Sequence, residues 1–420
     1  MTGQPLPLPQ PQNPFRPGAG QRPVYLAGRT NEQDGFRQML LQKPVSQNSI
    51  ITGLRGVGKT VLLETLKPIA QAGNWLWTGN DLSESASLTE ERIARRLVVD
   101  IATLLGPIVV HTQENLPFGF NAKANTESRP IQFDDLWNIF EKTPGLVLDK
   151  LQAVFNHVSK LISGAPINGI VFAYDEAQNL ADHAADHEYP LSLLLDLFSY
   201  LQRQQQDKSF MLVLTGLPTL FPKLNEVRTY TERMFHVTQL ERLSDEAARE
   251  AVVEPLRLTQ SSLTFSKGTI DKIVEMSGGY PYFIQFIGKE VFDVWINKIK
   301  QGEATSVPMK EILEKLDQDF FAPRWVRATD RQQQIMQVIA TLPNAEGEFS
   351  VPEIVKSSRE MLSNGFTPSH AIQILQALSE RGLIYRNRRG AYCFAVPLLA
   401  SFIQRQAWDP ASLRIPSPNA

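Results

Sequence analysis

Short runs of consecutive apolar residues alternate with stretches of helical spacing over the first 240 positions. "SIIT" at 49–52 leads into glycines. "NWLWTG" at 74–79, "GIVFAYDEAQ" at 169–178, "FMLVLTG" at 210–216 and "MFHVTQL" at 234–240 are further strand candidates. In "IVFAY" and "FMLVL" the apolar residues are continuous rather than alternating, which predicts strands covered on both faces. Between them, "TVLLETLKPIAQ" and "PLSLLLDLFSYLQRQQQ" repeat apolar residues every three or four positions, as helices do. The long interval from about 80 to 168 is expected to hold extra helices, among them "PGLVLDKLQAVFNHVSKLIS". Strands alternating with helices predict an α/β domain built on a largely parallel sheet.

Beyond about Arg242 the pattern changes. "SDEAAREAVVEPL" opens with a serine N-cap and acids in the first turn, and "SKGTIDKIVEMSGGYPYFIQFIGKEVFDVWINKI" reads as two helices broken at Gly278 and Gly279. A small helical domain over 243–322 follows from this. Its aromatic residues recur at helical spacing and are expected in a core. The last segment, 325–408, carries three helical stretches and then two short strands, "LIYRNR" and "AYCFAV", joined through Arg389 and Gly390. Three helices and a hairpin predict a winged helix-turn-helix. Residues 1–22 are dominated by proline, glutamine and glycine and read as a flexible arm, with "NPFRPGAG" able to pack on a downstream surface. Residues 409–420 read as a loose tail.

Composition adds exclusions. The 420 residues carry a formal net charge of −2, so any nucleic-acid surface has to be local. A single cysteine, Cys393, rules out an internal disulfide and cysteine-rich zinc sites, and points to a reducing, cytoplasmic compartment. The apolar stretch 97–110 is interrupted by Asp100 and is too short to span a bilayer, and the N-terminus lacks the pattern of a signal peptide, so no membrane is expected. The histidines of "DHAADHE", His183 and His187, have helical metal spacing but no third ligand, and read as a solvated loop.

"GLRGVGKT" at 53–60 changes the picture most. Polyphosphate is a dense anion, and backbone N–H groups reach it only where side chains leave room. Gly53, Gly56 and Gly58 supply that room, Arg55, Val57 and Val61 complete the loop and its first helical turn, Lys59 is expected on the β- and γ-phosphates, and the Thr60 hydroxyl on Mg²⁺. A magnesium ion at such a loop needs a carboxylate at the tip of a neighbouring strand. "IVFAYDE" ends in Asp175, the expected metal ligand, and Glu176, the expected base for the attacking water. Thr215, ending the next strand, is placed to touch the γ-phosphate or the water.

The ordered series "YLAGRTNE", "GLRGVGKT", "FAYDEAQ", "LTGLP" and "SGGYPYFIQ" resembles the AAA+ ATPases of the origin-recognition-like and STAND clades, over about residues 14–408. The resemblance implies an ASCE-type P-loop sheet domain over 23–242, a helical lid and the winged helix. It implies ATP with Mg²⁺ as ligands, and an adenine pocket lined by Tyr25, Gly28 and Arg29. It also implies an arginine finger, Arg233 or failing that Arg228, which would act between subunits of a homo-oligomer. Many members carry a lid arginine. Here "GGYPYFIQ" stands in that place, and the resemblance instead puts Pro281 near the nucleotide.

Three functions remain open on the sequence: an ATP-hydrolysing machine, a slow nucleotide switch, and a DNA-binding regulator whose nucleotide is structural. Arg386, Arg388 and Arg389 on the wing are the candidates for duplex DNA. The helix preceding the wing has no basic residue before Arg381, which leaves a protein partner equally open.

Overall fold

A computed structural model describes residues 12–18, 20–43, 45–107, 109–113, 126–204, 208–303, 305–388 and 390–406. The chain divides into two compact units. One comprises 30–52 and 59–239, the other 1–29, 53–58 and 240–420.

The first unit is built on a sheet. In chain order its elements are α1 (Thr30–Leu41), β1 (Asn48–Gly53), α2 (Lys59–Ala72), β2 (Trp75–Thr78), α3 (Glu90–Leu105), β3 (Val109–Gln113), β4 (Thr126–Pro130), α4 (Phe133–Lys142), α5 (Val147–Ile162), β5 (Gly169–Tyr174), α6 (Pro190–Arg203), β6 (Ser209–Gly216), α7 (Leu220–Val227), α8 (Thr231–Met234) and β7 (Phe235–Leu240). The five-stranded sheet has the order β2-β5-β6-β1-β7, with β1, β2, β5 and β6 running parallel. Each of the five expected strands is present. The insertion of β6 between β1 and β5 brings the tips of all three strands to one end of the sheet, where Gly216, Gly53 and Tyr174 end them.

All six residues of β5 are buried, as the unbroken apolar run predicted. Its core partners come from the insert between β2 and β5. Phe155 of α5 lies 5.4 Å from Phe172 and 5.2 Å from Phe210, ring centre to ring centre, and Phe198 of α6 completes the cluster. Helix α1 begins just past the turn at Ala27 and Gly28. The hairpin of β3 and β4 also falls inside the insert.

The second unit contains α9 (Asp245–Leu258), α10 (Lys267–Ser277), α11 (Pro281–Gln301), α12 (Met309–Leu316), α13 (Ala322–Trp325), α14 (Asp330–Ala340), β8 (Phe349–Ser350), α15 (Val351–Met361), α16 (Pro368–Glu380), β9 (Ile384–Arg388), β10 (Ala391–Phe394) and α17 (Leu399–Arg405). Ser244 and Ser266 cap α9 and α10 through their hydroxyls. A π-helical turn, Asp317–Phe321, joins α12 to α13. The last three strands form an antiparallel sheet, β8-β10-β9, beside α14, α15 and α16.

One apolar core runs from Phe15 through α9–α12 to Ile403. Phe321 stacks on Phe402 at 5.1 Å, Trp325 meets the same ring edge-on, and Arg405 pairs with Asp317. The helical segment and the C-terminal segment therefore share their interior.

The described part of the N-terminal arm belongs to this core. Phe15 is buried and stacks on Phe265 at 6.0 Å. It sits over Gly288 of α11, where a Cβ would come within 2.7 Å of the ring. Asn13 Nδ2 donates to Lys289 O and to Asp293 Oδ1, and Arg16 N donates to Gln285 Oε1. Residues 1–11 lie outside the described residues, as do 407–420 and with them the tail.

Candidate active site

In the sheet unit, the chemistry gathers at the head of α2 and the tips of β5 and β6. Lys59 and Thr60 open α2. Asp175, one residue past β5, is buried. Its Oδ2 accepts from Thr60 Oγ1 at 2.5 Å, and its Oδ1 accepts from Thr215 Oγ1 on the last turn of β6 and from Glu176 N at 2.8 Å. Leu82 N donates to Asp175 O at 2.9 Å, which ties the exit of β2 to the same point. Three residues distant in sequence and picked from separate motifs are thus brought together through one carboxylate.

Glu176 is exposed and takes a left-handed conformation, φ 52° and ψ 34°, which non-glycine residues adopt at a cost and keep where surroundings enforce it. Its carboxylate accepts from Gln178 Nε2. A second polar network lies behind β5. Tyr174 Oη donates to Asp100 Oδ2 at 2.7 Å, and Arg96 pairs with the same carboxylate at 2.9 Å. Burial pushes the Asp100 carboxyl up from its ordinary value, against the opposing pull of Tyr174 and Arg96.

The loop residues 53–58 and their neighbours in the second unit form a separate set of contacts. Gly56 and Gly58 have positive φ, 80° and 93°. Gly53 is closed in by the Leu240 carbonyl, 2.6 Å from where a Cβ would stand. Arg29 is buried, and its Nη2 donates to Val57 O at 3.1 Å and Glu241 O at 2.7 Å. Its Nη2 thus serves two main-chain carbonyls, one of them in the loop. Gly28, φ 62°, stands where a Cβ would strike Ala247. The Tyr25 hydroxyl reaches Glu250 at 3.4 Å.

The "GGYPY" element has a specific geometry. Gly278 and Gly279 are both left-handed, and Gly279 O accepts from Leu243 N at 2.9 Å. Pro281 is the first residue of α11, where its missing N–H costs nothing. Tyr282 N then donates to Gly56 O at 3.2 Å, so the start of α11 meets the loop at its apex. One arginine lies nearby that the motifs did not flag. Arg324 lies 4.1 Å over the Phe320 ring, which in turn is 5.1 Å from Tyr282. Burial and then the charge of Arg55 push its guanidinium down.

The remaining expected residues do not join these sets. Arg233 on α8 is exposed, without an ion pair to a described residue. Arg228 is engaged: it forms a forked pair with Asp196 at 2.8 and 3.0 Å, and Tyr230 donates to the same carboxylate at 2.6 Å. Arg386 is exposed on β9, the Arg388 side chain is not described, and Arg389 lies outside the described residues. No group of three or more metal-binding side chains of histidine, cysteine, aspartate or glutamate occurs among the described residues. No described helix is long and apolar enough to cross a membrane.

Comparison with known proteins agrees with this architecture. The Walker-type ATPase PABY2304 of Pyrococcus abyssi superposes with a TM-score of 0.57 at 17% identity, over 91% of this chain and 97% of that one. The Aeropyrum pernix ORC2 protein superposes at 0.54 in its ADPNP-ADP complexes and at 0.53 in its ADP form, both at 13% identity over 92% of this chain and 96% and 97% of those chains. The fold is therefore one that the Walker-type ATPase and ORC2 structures share. Over residues 318–403 the sequence matches a family described as a domain of unknown function, DUF8462. No curated protein sequence matches the chain.

Proposed function

We propose that the protein binds ATP with Mg²⁺ and hydrolyses it to ADP and phosphate, using the turnover to change the state of its C-terminal segment. The observation that carries this reading is the convergence of Thr60 and Thr215 on Asp175. Three oxygen-bearing side chains from a helix start and two strand tips meet at one carboxylate, and that helix follows directly in sequence on a glycine-rich stretch.

The donor set fits a hard divalent cation. Thr60 Oγ1 and an Asp175 oxygen stand 2.5 Å apart, both oxygen ligands of the kind magnesium prefers. Thr60 and Asp175 would hold the ion, which when bound neutralises charge on the phosphates. Lys59 binds the β- and γ-phosphates as a point charge, and the loop N–H groups of Gly56, Val57 and Gly58 bind their oxygens. Glu176 accepts the proton of the attacking water, and Thr215 fixes Asp175 and borders the water's position. In this reading Arg29 acts through the loop, by holding the Val57 carbonyl, while Tyr25, Gly28 and Pro281 border the base as the family resemblance implies. Arg233, exposed on α8, serves as the finger from one copy to the next in a homo-oligomer. Arg228, locked on Asp196, holds its own strand end.

The segment 325–408 acts as a winged helix-turn-helix whose output is a protein partner or duplex DNA, the latter through Arg386, Arg388 and Arg389. The lid over 243–322 and the sheet domain over 23–242 complete the division of labour. A specific observation favours a slow switch as the second reading. "GGYPYFIQ" offers the loop the Tyr282 amide where a charged lid residue would speed turnover.

Phosphate release with and without duplex DNA, alongside binding of ATP and ADP, tests the proposal. Lys59→Ala is expected to abolish nucleotide binding, and Glu176→Gln to keep binding while losing turnover by about a hundredfold or more. If wild type and Glu176→Gln both release no phosphate, with and without duplex DNA, the hydrolytic reading is wrong and the switch stands.

A further inference from the structure

The geometry points to Gln178 as a positioning residue for Glu176, one that ties the base to the exit of β6; this rests on the reading of Glu176 just given. Glu176 is an exposed side chain on a left-handed residue, heading the single 3₁₀ turn Ala177–Asn179. A glutamate so placed has many rotamers open to it, and a base that wanders loses rate without losing substrate affinity. What restrains it is the Gln178 amide. Nε2 donates to Glu176 Oε2, and Oε1 accepts from Leu217 N at 3.1 Å.

A side-chain amide does both. It carries a donor and an acceptor on one planar group, whereas a carboxylate only accepts and an ammonium only donates. The rest of the residue is fixed as well. Lys223 Nζ donates to Gln178 O at 2.8 Å, and Asn179 Nδ2, one residue on, donates to Leu82 O at 3.0 Å. Gly216 is shaped around this amide: a Cβ there would stand 2.7 Å from Gln178 Oε1.

The contacts close into a ring. Asp175 accepts from Thr215, Thr215 leads through Gly216 to Leu217, Leu217 N is held by Gln178, and Gln178 holds Glu176, the neighbour of Asp175. A displacement of the β6 tip therefore moves the Glu176 carboxylate by way of Gln178. The charged groups around this point are Asp175, Asp81 paired with it along the backbone, and Lys223. A simple cap on the Leu217 amide would need only the acceptor oxygen. The donation to Glu176 is what assigns a role in turnover.

Full-length wild type, Glu176→Gln, Gln178→Ala and Gln178→Glu, assayed for steady-state phosphate release with kcat and KM separated and for ATP binding, test this. Gln178→Glu keeps the size and the acceptor for Leu217 N but replaces the donor with a second carboxylate, so it carries the test even if Gln178→Ala fails to fold. Both variants are expected to lower kcat by about tenfold or more, with KM for ATP within about twofold. Wild-type kcat in Gln178→Glu overturns the proposal and leaves Gln178 a structural cap. Absence of turnover in wild type, or full turnover in Glu176→Gln, overturns the reading of the site and this inference with it. Loss in Glu176→Gln without change in Gln178→Glu overturns this inference alone.

Discussion

The two units keep their critical side chains in place by opposite means. At the strand tips of the sheet unit, polar groups hold one another: Thr60, Thr215 and the Glu176 amide all converge on a single buried carboxylate. In the C-terminal unit, anchoring is apolar, through Phe15 over Gly288 and Phe321 on Phe402. A hydrogen-bonded cluster loses function when one donor goes, because the groups left behind are buried and misdirected. A packed aromatic loses stability in proportion to the volume removed. Substitutions in one unit should therefore read out as rate, and in the other as stability.

The largest effect expected from this contrast is at Asp175. Asp175→Ala should reduce phosphate release by about a thousandfold, worth about 4 kcal/mol at the transition state, while the chain stays folded by circular dichroism. Equal losses of rate and melting temperature would break the contrast. Next is Phe15→Ala, which should destabilise the C-terminal unit by about 3 kcal/mol in denaturant unfolding. It should leave the sheet unit's transition unshifted. A null result would mean the arm is held by its Asn13 and Arg16 hydrogen bonds instead.

The smallest effect sharpens the picture behind the tips. Burial raises the Asp100 carboxyl, so the folded chain holds that proton more tightly than the unfolded one. Its contribution is present in acid and is lost as pH rises through the folded value. Asp100→Asn does not titrate and keeps an acceptor for Tyr174. Its stability relative to wild type should improve by up to about 1 kcal/mol from pH 4 towards neutrality, measured by urea unfolding. A constant difference across that range would show that Tyr174 and Arg96 offset burial, and a decline that they outweigh it.

The strands and the loop were legible because their signals are local. The run "GIVFAY" is apolar throughout since both faces of β5 are covered, and "GLRGVGKT" needs its glycines for backbone reasons that hold in any context. The meeting of Thr60, Asp175 and Thr215 could be anticipated because each ends or begins an element of a parallel sheet. Other features depend on tertiary contact and leave no periodic trace. Gln178 lay in plain view in "DEAQ", but its partner Leu217 is set by strand order. Arg29 stood out only as part of a family motif, and its bonds to the Val57 and Glu241 carbonyls depend on tertiary approach. Phe321 and Trp325 both meet a ring on α17, a contact that no spacing in the sequence announces.

Gly382, in the turn after α16, has φ 66°, and a Cβ there would stand 3.0 Å from Arg55 Nη2. A side chain at 382 and an arginine at 55 thus compete for one volume. Change at either position is constrained by the other, so the third residue of the phosphate loop and a turn near the far end of the sequence should vary as a pair.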